Sequence, residues 1–230
     1  MLILRSGQRT AEQVEGRQTR HSFSFGSAYD PDNLRFGLLV CHNDDLIAPG
    51  YGYDEHPHSH LEVVTWVLEG ALSHRDSRGN TGELLAGQAQ VMSAGDGLRH
   101  SETVDPAAGT TRFIQAWVLP DEPGGEPRYS TGSFALDASW TPVAAGTGHD
   151  AAARLRAGGA TLWAARPGAG ELLTVPSTPF AHLFVASGTA RLSHDGGTVD
   201  LDAGDAVRFR DEQAEVVTAT ASELLLWTFA

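Results

Sequence analysis

The feature that most constrains the fold is an internal repeat that relates the two halves of the chain. Residues 67–74 read VLEGALSH and find a looser match at residues 185–194, VASGTARLSH. Residues 85–91, LAGQAQV, find theirs at residues 202–207, DAGDAV. The glycines within these matches are 17 residues apart in the first half and 16 in the second, so the offset between the halves stays near 117. Because each glycine suits a turn or bulge with positive φ, the repeat predicts two copies of one β unit.

Most of the chain consists of short apolar runs broken by Gly, Pro, Asn and Asp, a pattern typical of a β-sandwich or barrel. Only an alanine-rich run near residues 151–160 departs from it towards a helix. Strands are predicted at residues 35–40, 61–68, 71–74, 88–92, 111–118, 160–165, 182–186, 190–194, 206–209 and 223–229. The segment 120–128, PDEPGGEPR, lacks apolar residues and predicts an exposed linker, near which we place a domain boundary.

Charge and composition argue against several classes of function. The chain has 16 basic and 29 acidic residues, and its net charge of −13 disfavours direct binding to nucleic acid or to an anionic membrane. No stretch approaches the roughly 20 apolar residues of a membrane-spanning helix, and the N-terminal residues do not read as a signal peptide. With Cys41 as its one cysteine, the chain has no internal disulfide and no cysteine-based zinc site. We therefore expect a cytoplasmic protein.

Two clusters of polar residues form the candidate site. The first, HPHSH at residues 56–60, comes directly before the apolar run 61–68. Because side chains alternate between the two faces of a strand, one face of this segment is predicted to carry His56, His58, His60 and Glu62. The second cluster, His100 and Glu102, repeats the two-residue spacing after a turn at residues 93–97. Pairing of the two strands would bring the ligands together.

Three imidazoles and one carboxylate suit a divalent transition ion such as Fe, Mn, Co, Ni, Cu or Zn, and suit Ca or Mg poorly. Four protein ligands leave an octahedral ion two open positions, which a catalytic site needs and a closed structural site lacks. For the first cluster taken alone, a solvated strand face with alternating histidines is the alternative interpretation. The histidines that stand alone are assigned no role: His74, His149, His182 and His194.

At these residues the chain resembles the cupins, and more narrowly the pirin family. The cupin pattern consists of Gly50, His56, His58, Glu62 and Gly70, followed by Gly87, Ser93, Gly95 and His100. The segments most similar to pirins are residues 56–58 (HPH), 65–70 (TWVLEG), 74–80 (HRDSRGN), 92–95 (MSAG) and 97–102 (GLRHSE). Shorter matches at residues 21–25, 29–31 and 43–45 extend the resemblance, which is specific through about residue 120.

The resemblance implies an all-β bicupin, in which two β-barrel domains of the double-stranded β-helix type lie face to face. We place a metal-binding cupin at residues 1–125 and a second cupin without metal ligands at residues 126–230. When the repeat offset is applied to the three histidines of the candidate site, it leads to the neighbourhood of Thr174, Pro176 and Val217. One metal ion per chain is therefore expected, with iron first among the candidates.

The resemblance also implies a ligand set of His56, His58, His100 and Glu102. General cupins use the position of Glu62 for the carboxylate, whereas pirins use the glutamate two residues after the last histidine, so we favour Glu102. His60 departs from the commoner pirin text and stays outside the set, as a donor to a ligand, an extra ligand or an exposed side chain.

Bacterial pirins are similar to quercetin 2,3-dioxygenases, which implies a flavonol-like aromatic substrate, O2 as co-substrate and loss of CO. In that reaction Glu102 would act as metal ligand and general base. Candidates for the apolar walls of a substrate cavity are Phe23, Phe25, Trp66 and Met92. The alternative, implied by the resemblance to eukaryotic pirins, is a non-enzymatic metalloprotein that reports the redox state of its metal to a protein partner. A different small-molecule reaction in the same site is a third interpretation.

Overall fold

A computed structural model describes residues 1–26 and 28–230, which form 22 β-strands and one 3-10 turn, Ser6–Gln8. The strands of the first half are β1 (Leu2–Leu4), β2 (Thr10–Val14), β3 (Arg17–His21), β4 (Leu39–Ile47), β5 (Gly52–His58), β6 (Glu62–Glu69), β7 (Ala71–Asp76), β8 (Thr81–Leu85), β9 (Gln88–Ser93), β10 (Leu98–Thr103) and β11 (Thr111–Val118). Those of the second half are β12 (Arg128–Ser133), β13 (Thr141–Ala145), β14 (Ala153–Arg154), β15 (Ala160–Ala165), β16 (Leu172–Val175), β17 (Phe180–Ser187), β18 (Thr189–His194), β19 (Gly197–Asp202), β20 (Ala206–Phe209), β21 (Ala214–Thr218) and β22 (Glu223–Phe229). The prediction of an all-β protein is confirmed. The described part of the chain has no helix with the length and hydropathy needed to span a bilayer.

The strands form two similar pairs of sheets. The N-terminal sheet pair combines a seven-stranded sheet, β12-β9-β6-β11-β4-β3-β2, with a four-stranded sheet, β5-β10-β7-β8. The C-terminal sheet pair combines a seven-stranded sheet, β1-β20-β17-β22-β15-β13-β14, with a four-stranded sheet, β16-β21-β18-β19. The predicted repeat of one β unit is therefore present in the sheet order itself.

The repeated glycines lie at equivalent turns of the two units. Gly70 joins β6 to β7 with a φ of 80°, and Gly188 joins β17 to β18 with a φ of 77°. A Cβ atom at Gly70 would collide with Thr111, and one at Gly188 would collide with Ser222. Each turn therefore requires glycine both for its left-handed backbone and for the close approach of a neighbouring strand.

The two seven-stranded sheets pack against each other through a shared apolar core. Alternate residues of β22 divide between two cores: Leu224 and Leu226 lie inside the C-terminal sheet pair, whereas Leu225 and Trp227 face the other half. Trp66 of β6 belongs to the shared core and donates a hydrogen bond from Nε1 to Glu223 Oε1 at 2.7 Å. Because both faces of these central strands are buried, their sequences read as nearly continuous apolar runs.

Two short strands each pair with the sheet on the other side of the predicted boundary between residues 125 and 126. Strand β1 pairs with β20 in the sheet of the second half, and β12 pairs with β9 in the sheet of the first half. Each half thus contributes an edge strand to the other. The division into domains 1–125 and 126–230 remains a prediction. It does not account for β1 and β12, which pair with the sheet of the opposite half.

Two local predictions differ from the structure. The alanine-rich run is extended rather than helical, because Ala151, Ala153, Leu155 and Ala157 are buried while their neighbours are not, a period of two residues. The segment 35–40 is mostly a turn around Gly37, whose φ is 60°, and β4 begins only at Leu39. In both places apolar composition was a weaker guide than the spacing of buried residues.

Candidate metal centre

Three of the predicted ligands, His56, His58 and His100, meet on adjacent strands of the four-stranded sheet. β5 and β10 are antiparallel and pair His100 directly with His56. His58 lies two residues along β5, and therefore on the same inward face. The ring centroids of His56 and His100 are 4.4 Å apart, and His58 lies 4.9 Å from the first and 5.0 Å from the second. Their ligand nitrogens form one group within 4.8 Å of one another.

The nitrogens of these three rings are available to an ion. His56 Nδ1 donates to the carbonyl oxygen of Asp54 at 2.7 Å, a tautomer that leaves Nε2 as the acceptor. His58 Nε2 and both ring nitrogens of His100 are buried without a hydrogen-bond partner among the described residues. Buried polar atoms normally have partners, so the unpartnered nitrogens of His58 and His100, which converge with the ring of His56, are typical of a metal site. The donor set therefore fits a divalent transition ion.

Burial keeps His58 and His100 neutral, which is the form that binds a metal. Desolvation, with the neighbouring His100 and His56 as smaller causes, lowers the pKa of His58 to about 4. Desolvation, followed by the charges of His56 and His74, lowers the pKa of His100 to about 3. The two side chains are ready to coordinate an ion at neutral pH without first losing a proton.

Glu102 lies deeper in the same interior and is held by three hydrogen bonds. Thr65 Oγ1 and Gln90 Nε2 donate to its Oε1 at 3.3 and 3.2 Å, and Gln115 Nε2 donates to its Oε2 at 2.7 Å. A carboxylate oxygen of Glu102 lies within 4.8 Å of ligand nitrogens of His100 and His74. Its place next to His100 on β10 agrees with the i, i+2 pattern seen in the sequence.

Glu62, the alternative carboxylate, has other partners. It accepts a hydrogen bond from Ser93 Oγ at 2.6 Å and one from the backbone N–H of Arg156 at 3.1 Å. Burial raises the pKa of the Glu62 carboxyl. Among the described residues, no group of close metal-ligand atoms includes Glu62. This side chain connects the two halves of the chain, because Ser93 lies in the first and Arg156 in the second.

Strand alternation predicted that His60 lies on the same face as His56 and His58, and this prediction is wrong. Strand β5 ends at His58, and His60 is exposed with a φ of 58°. This left-handed residue turns the chain between the four-stranded and the seven-stranded sheet, so the alternation of side chains is interrupted there.

His74 is one of the site residues that the sequence interpretation missed. It is 2% exposed and lies on β7, where it pairs with Glu102 of β10. Its Nε2 is 3.6 Å from Asp76 Oδ2, and its ring stacks on Tyr129 with 4.9 Å between centroids. His74 and Asp76 have the same two-residue spacing as the other ligand pairs, which was the available signal.

A cavity of about 430 Å³ opens on the histidine group. Its walls combine apolar and amide side chains: Phe25, Tyr53, Leu61, Trp117, Asn43 and Gln115. Trp117 meets His58 edge to face with 5.0 Å between ring centroids. Of the four wall candidates from the sequence, Phe25 lines the cavity, whereas Phe23 and Trp66 belong to the shared core and Met92 packs with Val63 and Leu98.

The corresponding interior of the C-terminal sheet pair is apolar. Its core includes Leu173 of β16, Leu192 of β18 and Val216 of β21, the strands that correspond to β5, β7 and β10. No group of metal-ligand side chains occurs there within the described residues.

Comparisons with known proteins identify the family of this chain. The model of the Pirin family matches residues 5–118. A protein from Mycobacterium tuberculosis named "Putative quercetin 2,3-dioxygenase Rv0181c" is 46% identical over 230 residues, which cover 98% of this chain and 93% of the relative. This chain belongs to the pirin family. A second relative, named "Pirin-like protein" in Caulobacter vibrioides, is 38% identical over 212 residues that cover 90% of this pirin and 88% of the relative.

Solved structures confirm the bicupin fold of this pirin. The crystal structure of YhhW from Escherichia coli has a TM-score of 0.91 at 28% identity, and the match covers 100% of this chain and 97% of the YhhW chain. A structure of the bacterial pirin YhhW from Escherichia coli in complex with nickel(II) has a TM-score of 0.89 at 30% identity. The match covers 99% of this chain and 98% of the YhhW chain. Family membership and the histidine and glutamate groups together support a metal-binding cupin.

Proposed function

We propose that this pirin is a metal-dependent dioxygenase that opens the central ring of flavonols such as quercetin and releases CO. The observation that carries the proposal is the convergence of three imidazoles, two of which, His56 and His58, line a cavity with aromatic walls. The name of the Mycobacterium tuberculosis relative supports the same class of reaction. In this reaction both atoms of O2 enter the ring-opened product, and one ring carbon leaves as CO.

The proposed ligands are His56, His58, His100 and Glu102, all supplied by residues 1–125. Glu102 is preferred to Glu62 because it lies beside His100, whereas Glu62 is engaged by Ser93 and Arg156. Iron is the first candidate from the family resemblance, and Mn, Co, Ni, Cu and Zn are the alternatives. The second cupin, residues 126–230, is proposed to hold no metal.

The cavity suits a flat aromatic substrate. Phe25 and Trp117 offer ring faces and edges for stacking, and the amides of Asn43 and Gln115 can pair with phenolic hydroxyls. The volume of about 430 Å³ falls in the range of small-molecule sites. These residues would bind and orient the flavonol with its 3-hydroxyl towards the histidines.

A bound divalent ion would supply Lewis acidity, which lowers the pKa of the 3-hydroxyl, and a site for reaction with O2. Glu102 is the residue proposed to accept the proton of that hydroxyl. Its hydrogen bonds from Gln115, Gln90 and Thr65 fix the orientation of the carboxylate before substrate binds. Trp117 beside His58 excludes water from the same side.

The test is the aerobic loss of the flavonol absorbance band with protein stripped of metal and reloaded with one divalent ion at a time. We expect turnover with at least one first-row ion, its abolition in His58→Ala, and retained metal with turnover reduced about 100- to 10,000-fold in Glu102→Gln. His149→Ala is the control, because His149 is exposed and far along the chain from the site. If stoichiometric metal binds and no ion gives turnover, the dioxygenase proposal is wrong and a non-enzymatic role through a protein partner becomes the working hypothesis.

A further inference from the structure

A second cavity, of about 300 Å³, lies near the N-terminal segment and shares no lining residue with the cavity at the histidine group. Arg9, Ser22 and Phe23 are among its walls. All three are buried, Arg9 at 6% and Ser22 at 2% exposure. The one acidic side chain of the lining, Asp30, is exposed. The cavity is therefore built on a buried cation and a buried hydroxyl.

Some hydrogen-bond donors of the residues that line this cavity have no acceptor among the described residues. Arg9 donates from Nη1 to the carbonyl oxygen of Gly204 at 3.0 Å and from Nη2 to that of Arg20 at 2.8 Å. Its Nε and the Oγ of Ser22 are buried with no partner among the described residues. A guanidinium has five N–H groups, so Arg9 keeps further donors beyond the two that bind carbonyls. Unpartnered buried donors of this kind call for an acceptor.

More unpartnered nitrogens lie near Phe23, whose ring stacks with that of His182 at 6.3 Å between centroids. His42 and His182, one from each half, are fully buried with ring centroids 4.6 Å apart, and none of their four nitrogens has a partner in the described chain. Arg208 Cζ lies 4.1 Å from the centre of the Phe23 ring. Arg208 donates to the Ser22 carbonyl oxygen at 2.8 Å, and its Nε is also unpartnered.

Positive charge is in excess in this region although the chain as a whole is acidic. The acidic partner of Arg9 is Asp44, at 4.0 Å, and Asp44 is already bound by Arg112 at 2.8 Å. Arg208 forms no ion pair with any described residue, and its guanidinium donates hydrogen bonds to two neutral oxygens, Asn33 Oδ1 and the Ser22 carbonyl oxygen. A buried cation without an opposite charge is costly, and these two cations lie beside neutral imidazoles that can donate further hydrogen bonds. An anion would relieve the imbalance, whereas a metal cation would add to it.

We propose that this cavity binds a small oxyanion, the carboxylate or phosphate group of a small molecule or the free anion, through Arg9 and Ser22. Arg9 also holds Gly204 of the second half, and Arg208 holds Ser22 of the first. A bound oxyanion would thus stabilise the junction between the halves as well as occupy the cavity. The site is separate from the metal centre and does not depend on the function proposed for it.

Calorimetric titration of the full, metal-loaded chain at constant ionic strength tests the proposal, with inorganic phosphate in one arm and acetate in the other. We expect one equivalent of at least one anion to bind and to raise the melting temperature. Arg9→Gln should weaken binding at least about tenfold, because it removes a charged donor, and Ser22→Ala a few-fold. Arg191→Gln, which removes one exposed guanidinium from the second half, should leave the affinity unchanged.

Ser22→Ala also guards against misfolding, because Ser22 Oγ makes no hydrogen bond that the fold needs. Binding by phosphate alone identifies the phosphate source, binding by acetate alone identifies the carboxylate source, and binding by both identifies a general oxyanion site. The proposal is overturned if neither anion binds at millimolar concentration, or if Ser22→Ala and Arg9→Gln bind like Arg191→Gln. Loss of binding on metal removal or in His58→Ala would also overturn it, by placing the anion at the metal centre.

Discussion

The two sheet pairs of this pirin have the same strand order and opposite interiors. In the N-terminal pair, the strands β7 and β10 present His74, His100 and Glu102 to the interior. In the C-terminal pair, the corresponding strands β18 and β21 present Leu192 and Val216. The backbone therefore accepts either filling. Its strand order does not determine which chemistry lies inside, and only the side chains of the interior do.

The difference between the interiors is also a difference in stability. Each aliphatic side chain buried in the C-terminal pair contributes about 1.5–3 kcal/mol from the removal of apolar surface from water. The buried imidazoles of the N-terminal pair leave nitrogens without partners, which costs about 1–3 kcal/mol for each unsatisfied group. We infer that the C-terminal pair contributes more to the free energy of unfolding, whereas the binding site of the N-terminal pair lowers it.

A charge in the apolar interior should have the largest effect. Val216→Glu would bury a carboxylate among aliphatic side chains, and we expect a loss of about 4 kcal/mol or more in the free energy of unfolding. The neighbouring Val217 is 38% exposed and points to the other face, so Val217→Glu is the matched control, with a change within about 0.5 kcal/mol. Urea denaturation of both variants measures the difference. Equal stabilities would mean that the two interiors do not differ as described.

Removal of one imidazole should have the next largest effect, on metal affinity. His58→Ala takes away one of the three convergent ring nitrogens, and we expect at least about a 100-fold loss of affinity, the upper end of what residues behind a ligand contribute. Metal content after dialysis against a buffered free-ion concentration gives the affinity. His149→Ala should bind as much metal as the unaltered protein. Metal retained at full affinity in His58→Ala would remove His58 from the ligand set.

The pH dependence of stability should distinguish the two interiors more finely. In the metal-free protein, burial lowers the pKa of His100 to about 3, whereas the unfolded chain has a value near 6.5. Between these values the unfolded chain binds a proton that the folded chain does not, so stability falls as the pH decreases from about 6.5 towards 4. His100→Leu removes this contribution, and its stability should fall by roughly 3 kcal/mol less over that window.

Urea denaturation of metal-free protein at pH 7 and pH 4 supplies the measurement, with His149→Leu as the control. The comparison of variants is needed because Asp45, whose pKa burial raises to about 7, acts in the opposite direction. The explanation from burial fails if His100→Leu and the unaltered protein lose equal stability between the two pH values.

The contrast between interiors also explains what the sequence could predict. Strands β11, β15, β20 and β22 were predicted at their observed bounds, because their burial on both faces makes their sequences mostly apolar. Strand β2 is exposed along its whole length and carries no such signal. The polar end of β4 was missed because Asp44 and Asp45 are buried through bonds to Arg112 and Thr19 that no local pattern reveals.

The same limit applies to the site. His56, His58, His100 and Glu102 were predicted because ligands two residues apart on a strand leave a pattern in the sequence. Gln90, Gln115 and Tyr129 were not, since their contacts with Glu102 and His74 depend on which strands are neighbours in the folded sheets. Long-range pairing is the part of the site that a single sequence does not display.

Tyr129 gives the smallest predicted effect and connects the two halves most directly. It lies on β12, the strand that follows the predicted boundary, and its hydroxyl donates to Gln90 Oε1 at 3.0 Å. Gln90 Nε2 in turn donates to Glu102, so Tyr129 helps to hold the amide in the orientation that the carboxylate needs. Tyr129→Phe keeps the ring against His74 and removes only this hydrogen bond. We expect a turnover about two- to tenfold lower with unchanged metal content, the effect of one neutral hydrogen bond.

Flavonol turnover and metal content of the same preparation provide the readout, and Tyr51→Phe is the control because its hydroxyl binds only exposed Glu15. Unchanged turnover in Tyr129→Phe would show that Glu102 is oriented sufficiently by Gln115 and Thr65 from the first half. A loss of metal would place Tyr129 in the support of the histidines rather than of the carboxylate. A selective loss of turnover would mean that the exchanged strand completes the site, so that the second half contributes to the chemistry although its own interior holds no ligands.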